Sequence, residues 1–371
     1  MIGTRMIGTA VAAGLAFAAA AAGPAAAEDY DFTSWSGVKS TNHTLGLQPY
    51  FDELKAKSNG EMNWILYPGG QLMGARETLG GVRDGVADAG FIAVNFHPSE
   101  LKHNNVLANM VYDGSDPIAV GGAINETIML DCPSCTEDWV DNNLIYLGGH
   151  TTTGYVLMCA RPFDGLEGIR GKKVRATGAF SGILTNMDAV PVNIPPSEMA
   201  EGLERGQIDC VLGPIAWMEQ YGVIDQIKYV LDEPFGTTRA LGLFTMNLDT
   251  WKGLSPEHRK LMIEGMPGMV ARAIGGYLSE DERARANGEK RGIVFAKPDA
   301  AFLAKLADTD AMTKDNIATA KSLGVENAQE IAASFRENLP KWQKIAAENG
   351  HDIAKFEAAL KAEIYDKMPA N

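Results

Sequence analysis

Arg175 is the residue whose type and position are best suited to binding a charged molecule. It ends the first predicted strand of the stretch from Gly165 to Asp209 and faces a turn. In an open sheet of strands and helices, ligands bind beyond the carboxyl ends of the strands. A guanidinium presents a planar fork of N–H donors that fits a carboxylate through two hydrogen bonds. The position therefore predicts an anion-binding arginine; the alternative is a surface arginine that follows Lys172 and Lys173.

The elements around Arg175 alternate between strands and helices. Residues 165–210 predict a turn, a strand, a helix, a strand, a helix and a strand, within a series that runs from about Thr151 to Arg239. An earlier series has strands at 29–36, 62–67 and 87–94, with helices at 45–58 and 76–84 between them. Such alternation is typical of parallel sheets covered by helices.

The later part of the chain is predicted to be mainly helical. A strand at 241–248 returns towards the first series. A helix begins after Ser255, a good N-cap, with Pro256 in its first position, and extends to about Arg291. We expect this long helix to be bent, because Gly265, Pro267, Gly275 and Gly276 lie within it. Residues 298–368 continue as further helices.

A chain of 371 residues is too long for one core of usual size, and these elements predict two α/β lobes. The expected first lobe comprises residues 28–151 and 240–280. The expected second lobe comprises residues 152–239 and 281–371, with the C-terminal helices packing across both lobes. Crossing strands and the long helix would then join the lobes as a hinge.

Residues 1–27 are predicted to be a cleavable secretory signal peptide. Arg5 supplies a positive start, residues 7–22 are apolar and rich in alanine, and small residues follow Pro24. A membrane anchor is the alternative, although the stretch is only weakly hydrophobic. The net charge of −14 disfavours binding to nucleic acid or to anionic lipid. We therefore expect an exported, periplasmic protein whose attraction for an anion is local.

The four cysteines of an exported chain suggest disulfides. Cys132 and Cys135 form a C-x-x-C pair, which favours a local structural disulfide over a redox motif. Cys159 and Cys210 fall on predicted strands; they would bond if those strands are neighbours, or else stay buried thiols. The histidines and cysteines lack zinc-site spacing, so neither a metal nor a cofactor is predicted.

Several motifs together resemble the solute-binding proteins of TRAP transporters, the DctP-like family. They are Lys57-Ser-Asn-Gly60, Tyr67-Pro-Gly-Gly-Gln-Leu72, Asp84-Gly-Val-Ala-Asp-Ala89, and the stretch from Gly165 to Asp209. The resemblance covers roughly residues 29–290. It implies a two-lobe periplasmic-binding-protein (venus-flytrap) fold with parallel-rich mixed sheets. It also implies that Arg175 holds the carboxylate of an organic acid.

The resemblance points to further contact residues. Trp35 and Ser36 end the first strand, where the family places a ligand contact. Phe96 stands where sialic-acid-binding members have a basic residue, and Tyr155 where they have a second arginine. Two positions follow the last strand of the stretch: Gly213 replaces a family asparagine and leaves room, and Trp217 begins the next helix.

The four aromatic residues of this set are expected to line a largely apolar pocket, although core packing is the alternative for Trp35 and for Trp217. The sequence therefore predicts a periplasmic protein that passes an organic acid to a TRAP permease, and the expected ligand class is an aromatic or largely apolar monocarboxylate. The alternatives are a C4-dicarboxylate or sugar-acid ligand, or an ABC-type or sensor-linked receptor.

Neither G-x-S-x-G nor H-E-x-x-H is present, which argues against an enzyme. Both a monomer and a homodimer remain open.

Overall fold

The computed structural model describes residues 1–2, 28–239 and 241–368. The predicted signal peptide, residues 1–27, therefore lies outside the described residues except for its first two. The chain forms two mixed β-sheets covered by helices. We call the unit built on the sheet that begins at Glu28 the first lobe, and the unit built on the sheet that begins at Val156 the second lobe. The predicted two-lobe α/β fold is confirmed.

The sheet of the first lobe has five strands in the order β2-β1-β3-β10-β4. β1 pairs in parallel with β2 and β3, whereas β10 pairs antiparallel with β3 and β4. The strand that returns from the second lobe thus lies inside the sheet of the first, between β3 and β4. The bounds are β1 Glu28–Thr33, β2 Met62–Tyr67, β3 Ala89–Ile92, β4 Leu144–His150 and β10 Leu241–Asn247.

The sheet of the second lobe has six strands in the order β11-β9-β5-β8-β6-β7. β6 is parallel to both β7 and β8, so these three strands end at the same edge. β5 is antiparallel to β8 and β9. The bounds are β5 Val156–Cys159, β6 Lys173–Arg175, β7 Val190–Val192, β8 Cys210–Gly213, β9 Tyr229–Leu231 and β11 Val294–Ala296.

The α-helices cover both sheets, and short π or 3₁₀ segments at Asn42–Leu47, Val94–Phe96, Thr127–Asp131, Pro196–Glu198 and Tyr365–Lys367 supplement them. The bounds are α1 Gln48–Lys57, α2 Thr78–Arg83, α3 Lys102–Ala108, α4 Pro117–Glu126, α5 Pro133–Asp141, α6 Gly165–Ile169, α7 Ala179–Thr185, α8 Met199–Glu204, α9 Trp217–Gln220, α10 Leu248–Gly253, α11 Pro256–Lys290, α12 Ala300–Leu306, α13 Asp310–Ser322, α14 Ala328–Asn349 and α15 Ile353–Glu363.

Each lobe has its own hydrophobic core. In the first, Phe51 stacks on Trp64 with ring centres 5.4 Å apart, and Phe244 meets the edge of Trp64 at the same distance. The core of the second lobe lies around the buried strands β5 and β8. Two separate cores allow the lobes to move relative to each other without exposing either core.

Both cysteine pairs are disulfides in the structure. Cys132 and Cys135 bond at the start of α5, as predicted. The sequence left open whether Cys159 and Cys210 are bonded. They form the second disulfide, because they face each other directly on the antiparallel strands β5 and β8. Nothing in the local sequence specified that these strands are neighbours.

Helix α11 passes from one core to the other. Met266 and Ile274 pack in the first core, whereas Tyr277 and Ala284 pack in the second. The helix is a single element that continues through Pro267, and the expected bend stays a prediction. Gly265 has a packing role, since a Cβ at this position would lie 2.7 Å from the ring of Tyr50.

The sequence analysis placed residues 281–371 with the second lobe and expected the C-terminal helices to pack across both lobes. The apolar side chains of these helices lie in both cores, with Phe302 and Met312 in that of the second lobe. The apolar side chains from Ala320 onward, among them Phe335 and Trp342, are buried in the core of the first lobe. Trp342 is held there because its Nε1 donates to the Glu126 carboxylate over 2.6 Å. No helix among the described residues combines the length and apolarity that a membrane span needs.

Candidate ligand-binding site

A cavity lies between the two lobes. Six of the seven residues predicted to contact a ligand line it: Trp35, Ser36, Phe96, Tyr155, Arg175 and Trp217. They come from both lobes, and Arg175 is the one of the six that lies within a strand. The sequence-based selection therefore corresponds to one place in the tertiary structure.

Arg175 is the charged group of this cavity. Its side chain is buried at the carboxyl end of β6, and the residue is only 2% exposed. Its Nε donates to the carbonyl of Ile194 over 3.0 Å, which fixes the plane of the guanidinium. No carboxylate among the described residues lies within salt-bridge distance of it. Burial lowers the pKa of this guanidinium from its usual range.

A second buried arginine shows what a guanidinium with protein partners looks like in this chain. Arg239 donates to the carbonyls of Asp113 and Val111 over 2.6 Å and 2.9 Å, and to Gly114 over 3.0 Å. Its terminal nitrogens are thus occupied by backbone oxygens. Those of Arg175 have no such partner among the described residues, so an anion in the cavity would meet an uncompensated buried charge.

Aromatic rings of the second lobe form the wall next to Arg175. Tyr155 stacks on Phe180 with ring centres 4.5 Å apart and planes 4° apart. The edge of Trp217 meets Tyr155 at 5.3 Å and Tyr221 at 5.3 Å. Because each ring is held by another, the wall is rigid and mostly apolar.

Gly213 is the one of the seven predicted contact residues whose position in the structure differs from the prediction. In the described part of the chain it is not among the residues that line the cavity. A Cβ on Gly213 would lie 2.3 Å from the Trp217 ring. The room left by the missing side chain is therefore filled by the indole, and the contribution of Gly213 is to let Trp217 lie flat against β8.

The wall of the first lobe is also aromatic. Trp35 stacks on Phe91 at 4.7 Å between ring centres. The guanidinium carbon of Arg76 lies 4.6 Å from the centre of the Phe96 ring. Phe96 itself carries no charge, but the basic side chain of Arg76 lies next to it. Arg76 does not line this cavity. Ser36 is buried, and its carbonyl accepts from the backbone N–H of Gly69.

Sequence reasoning missed several lining residues: Asn42, Phe91, Asn95, His150, Tyr221 and Tyr277. His150 had a signal that could have found it, since it ends β4 as Arg175 ends β6. It is 1% exposed, and burial lowers the pKa of its imidazole to about 3, so the ring is neutral at physiological pH. Tyr277 had no local signal, because it is one of many buried positions along α11.

The lobes touch each other beside the cavity. The backbone N–H of Ala179 in the second lobe donates to Asn109 Oδ1 in the first over 3.2 Å. A Cβ on Gly37 would lie 2.9 Å from the carbonyl oxygen of Gln220. The structure therefore has its cleft closed. No cluster of three or more potential metal ligands occurs in the described part of the chain.

Solved structures share this fold. A TRAP solute-binding protein from a marine metagenome, specific for aromatic acid ligands and in complex with metahydroxyphenylacetate, has a TM-score of 0.75 at 21% identity. That alignment covers 85% of this chain and 99% of the other. A TRAP solute-binding protein from Rhodoferax ferrireducens in complex with copurified benzoate has a TM-score of 0.75 at 16% identity, covering 86% and 99%.

Other similar structures hold different acids. A TRAP periplasmic solute-binding protein from a Sulfitobacter species with bound β-D-galacturonate has a TM-score of 0.66 at 15% identity, covering 84% of this chain and 100% of the other. At such identities the likeness shows the fold alone.

A curated relative is similar to part of the chain. The outer membrane transporter protein TsaT of Comamonas testosteroni is 28% identical over 183 residues, which are 47% of this chain and 52% of that protein. The chain thus spans about half the length of the curated relative that it matches.

The family assignment rests on the sequence profile of DctP, described as bacterial extracellular solute-binding protein, family 7. This profile matches residues 35–319. The match covers most of the chain and includes every residue predicted to contact a ligand. The resemblance noted from the motifs is confirmed, and the chain belongs to the DctP family of bacterial extracellular solute-binding proteins.

Proposed function

We propose that this protein is the periplasmic solute-binding component of a TRAP transporter and that it captures an aromatic or otherwise largely apolar monocarboxylate. The observation that carries the proposal is the buried guanidinium of Arg175, which faces the cavity between the lobes without a carboxylate partner among the described residues. A bidentate carboxylate would supply the missing acceptors.

The charge of the cavity favours one carboxylate over two. Arg175 is the one charged side chain among the described residues that line it. A second carboxylate of a C4-dicarboxylate would be buried without a cation, which is strongly unfavourable. This argument supports a monocarboxylate, although the protein as a whole is acidic.

The walls favour a ring over a sugar. Trp35, Phe91, Tyr155 and Trp217 present aromatic surface from both lobes. A polyhydroxy acid would have to pair every one of its hydroxyls to recover the water that it loses, whereas an aromatic ring gains apolar contact with these walls directly. Two of the similar structures hold benzoate and metahydroxyphenylacetate, which supports this choice, whereas another holds galacturonate.

The affinity of a micromolar complex requires both the pair between Arg175 and a carboxylate and the contacts with the aromatic walls. A charge-assisted pair contributes about 2–3 kcal/mol, whereas a micromolar complex needs about 8 kcal/mol. The ring contacts and the release of water from the cavity must provide the rest. Because Arg175 belongs to the second lobe and Trp35 to the first, a ligand that contacts both stabilises the closed state.

The closed protein would then be the form that the membrane permease recognises, as a transient partner. Binding rather than catalysis is supported by the chemistry of the buried histidines. His43 Nε2 lies 2.8 Å from Ser34 Oγ, but neither residue lines the cavity, and His43 Nδ1 has no hydrogen-bond partner among the described residues. A nucleophile and base of the usual kind would need an orienting acid and access to a ligand.

Thermal-shift and calorimetric titrations of the purified mature protein test the proposal. Benzoate and phenylacetate should raise the melting temperature, and the uncharged matched compounds benzamide and phenylacetamide should not. A shift with only hexuronates or with only succinate would overturn the proposed ligand class. For the transporter class, uptake of the ligand by cells should stop when the ion gradient is dissipated while ATP is maintained; uptake that follows ATP would indicate an ABC-type partner.

A further inference from the structure

The first-lobe side of the cavity contains buried polar atoms with no partner. Both ring nitrogens of His150, the Oδ1 of Asn42 and the Nε1 of Trp35 are buried without a hydrogen bond to the described residues. All three residues line the same cavity as Arg175. His150 and Asn42 are each 1% exposed. Buried polar atoms in native proteins nearly always have a partner, so these atoms indicate one that binds in the cavity.

The types of these atoms restrict that partner. A neutral imidazole offers one N–H donor and one lone pair. The Asn42 oxygen accepts only, and the Trp35 indole donates only. A group that satisfies this set must itself both donate and accept. A hydroxyl does so: it donates one hydrogen bond and accepts up to two, so it can pair the indole N–H of Trp35 and one acceptor of the set, and an ordered water can pair the remaining atoms. A carboxylate would only accept and would leave the acceptors of the set without a hydrogen bond.

The rings around His150 explain why it must remain neutral. Phe91 meets its ring edge-on at 5.9 Å, and Tyr277 lies at 5.3 Å between ring centres. No carboxylate lines the cavity among the described residues, so a protonated imidazole would have no counter-charge. The same absence disfavours an ammonium group as the partner.

We propose that the first-lobe residues His150, Asn42 and Trp35 form a subsite for a hydroxyl group, so that the protein selects aromatic monocarboxylates that carry a hydroxyl away from the carboxylate. This inference rests on the proposed function, because it assumes that Arg175 holds the carboxylate. It adds which member of the ligand class is preferred, and by which residues.

The arrangement also explains how selection is coupled to closure. Arg175 belongs to the second lobe, whereas His150, Asn42 and Trp35 follow or flank strands of the first. A ligand with both groups bridges the cleft through hydrogen bonds at each end. A ligand without the hydroxyl leaves the first-lobe atoms unpaired once the cleft closes, and a site built to bind a hydroxyl rejects such an analogue.

Isothermal titration of the wild-type protein with matched ligands tests this subsite without a variant. The series comprises benzoate and phenylacetate, their 3- and 4-hydroxy derivatives, and the corresponding methyl ethers, which accept but do not donate. We expect at least one hydroxy acid to bind about tenfold or more tightly than its parent, and its methyl ether to lose that gain. Equal affinities throughout the series would overturn the subsite and leave the proposed function standing. Failure of every aromatic monocarboxylate to bind would overturn both.

Two variants assign the preference to its residues. His150→Phe keeps an aromatic ring and removes both nitrogens, so the affinity ratio of hydroxy acid to parent should fall about threefold or more. His258→Phe is the matched control, since His258 lies in contact with Glu61 away from the cavity, and it should keep the wild-type ratio. A His150→Phe protein that folds and keeps the full preference would contradict the assignment. If this variant does not fold, Asn42→Leu provides the same test.

Discussion

The guanidinium carbon of Arg175 lies 5.2 Å from the centre of the Trp217 ring. The two residues follow strands that are parallel neighbours, since Arg175 ends β6 and Trp217 begins α9 just after β8. Parallel strands bring their carboxyl ends to one edge, and the arginine and the indole meet there. A cation over an aromatic face is stabilised even without a ligand, which helps this chain to keep a buried charge in place.

Replacement of Arg175 should separate ligand binding from stability. Arg175→Ala and Arg175→Met should both weaken the binding of a carboxylate about a hundredfold, corresponding to a loss of roughly 3 kcal/mol. Without ligand, Arg175→Met should melt at the same or a higher temperature than wild type, because it removes a buried charge that lacks an anionic partner. Calorimetry and thermal unfolding measure the two effects.

The matched control for this prediction is Arg205→Met. Arg205 is exposed in the second lobe and pairs with Glu201. Its replacement should change neither affinity nor melting temperature appreciably. Full affinity in the Arg175 variants would contradict the role proposed for the guanidinium.

Substitution of Gly213 should act on the ligand through Trp217. In Gly213→Ala the new Cβ would overlap the indole, which lies 2.3 Å from it, so the ring must move. Overpacking of this kind costs about 1–3 kcal/mol, and we expect a loss of affinity of about tenfold together with a shift of tryptophan fluorescence. Gly182→Ala, in an open position of the same lobe, is the control. An unchanged spectrum and affinity in Gly213→Ala would show that the indole does not depend on this glycine.

Closure of the cleft should depend on Gly37. A side chain there meets the carbonyl oxygen of Gln220 and the ring of Tyr221 on the opposite lobe. Gly37→Leu should therefore hold the lobes apart, lower the affinity about tenfold or more, and increase the radius of gyration measured by X-ray scattering with ligand present. Gly253→Leu, in open space on the first lobe, should bind as wild type does. A closed, tightly binding Gly37→Leu protein would refute this contact as a determinant of closure.

The two disulfides should contribute unequally to stability. The bond between Cys159 and Cys210 closes a long loop, with a sequence separation of 51, whereas Cys132 and Cys135 are separated by 3. Loop-closure entropy predicts a loss of about 4 kcal/mol for the double replacement Cys159→Ala/Cys210→Ala and about 2 kcal/mol for Cys132→Ala/Cys135→Ala. Urea unfolding of the two double variants measures the difference. The reverse order would mean that strain in the native state outweighs loop entropy.

Asp281 should make the free energy of unfolding decrease as the pH rises from about 4 to 6. Its Oδ1 accepts from the N–H of Ala216 over 2.7 Å, and desolvation raises the pKa of its carboxyl to about 6. Between about pH 4 and pH 6 the native state then binds more protons here than the unfolded state, so the contribution of this group to stability falls as the pH rises. Above pH 6 the cost levels off at no more than about 3 kcal/mol.

Asp281→Asn keeps an acceptor for Ala216 and removes the titration. The difference in the free energy of unfolding between variant and wild type should therefore rise in favour of the variant from pH 4 to pH 6 and stay constant above it. Urea unfolding at several pH values measures this slope. A difference that is constant across the whole range would contradict the raised pKa.

The sequence determined those features that depend on local pattern. The period of apolar residues specified the alternation of strands and helices, and the bounds of the strand Met62–Tyr67 matched the prediction. The cap at Ser255 and Pro256 specified where α11 begins. Arg175 was identified as a lining residue from its position at a strand end, whose direction fixes the edge that it reaches, together with the family resemblance of the surrounding motif.

Only the tertiary structure decided the features that depend on which elements become neighbours. Cys159 and Cys210 bond because β5 and β8 pair, and no local signal states that pairing. Gly213 appeared in the sequence as open space, but the folded chain fills that space with Trp217. The hydrophobic faces of the C-terminal helices were evident, yet the core that receives them was not.

His150 and Asn42 show the same division within the site. Their residue types are in the sequence, but the demand they make on a ligand arises only from their burial in one cavity without partners among the described residues. The periodicity and spacing of residue types predict the local structure of a segment. Burial is a property of the whole packed molecule, and it is burial that turns an ordinary polar side chain into one that requires a ligand.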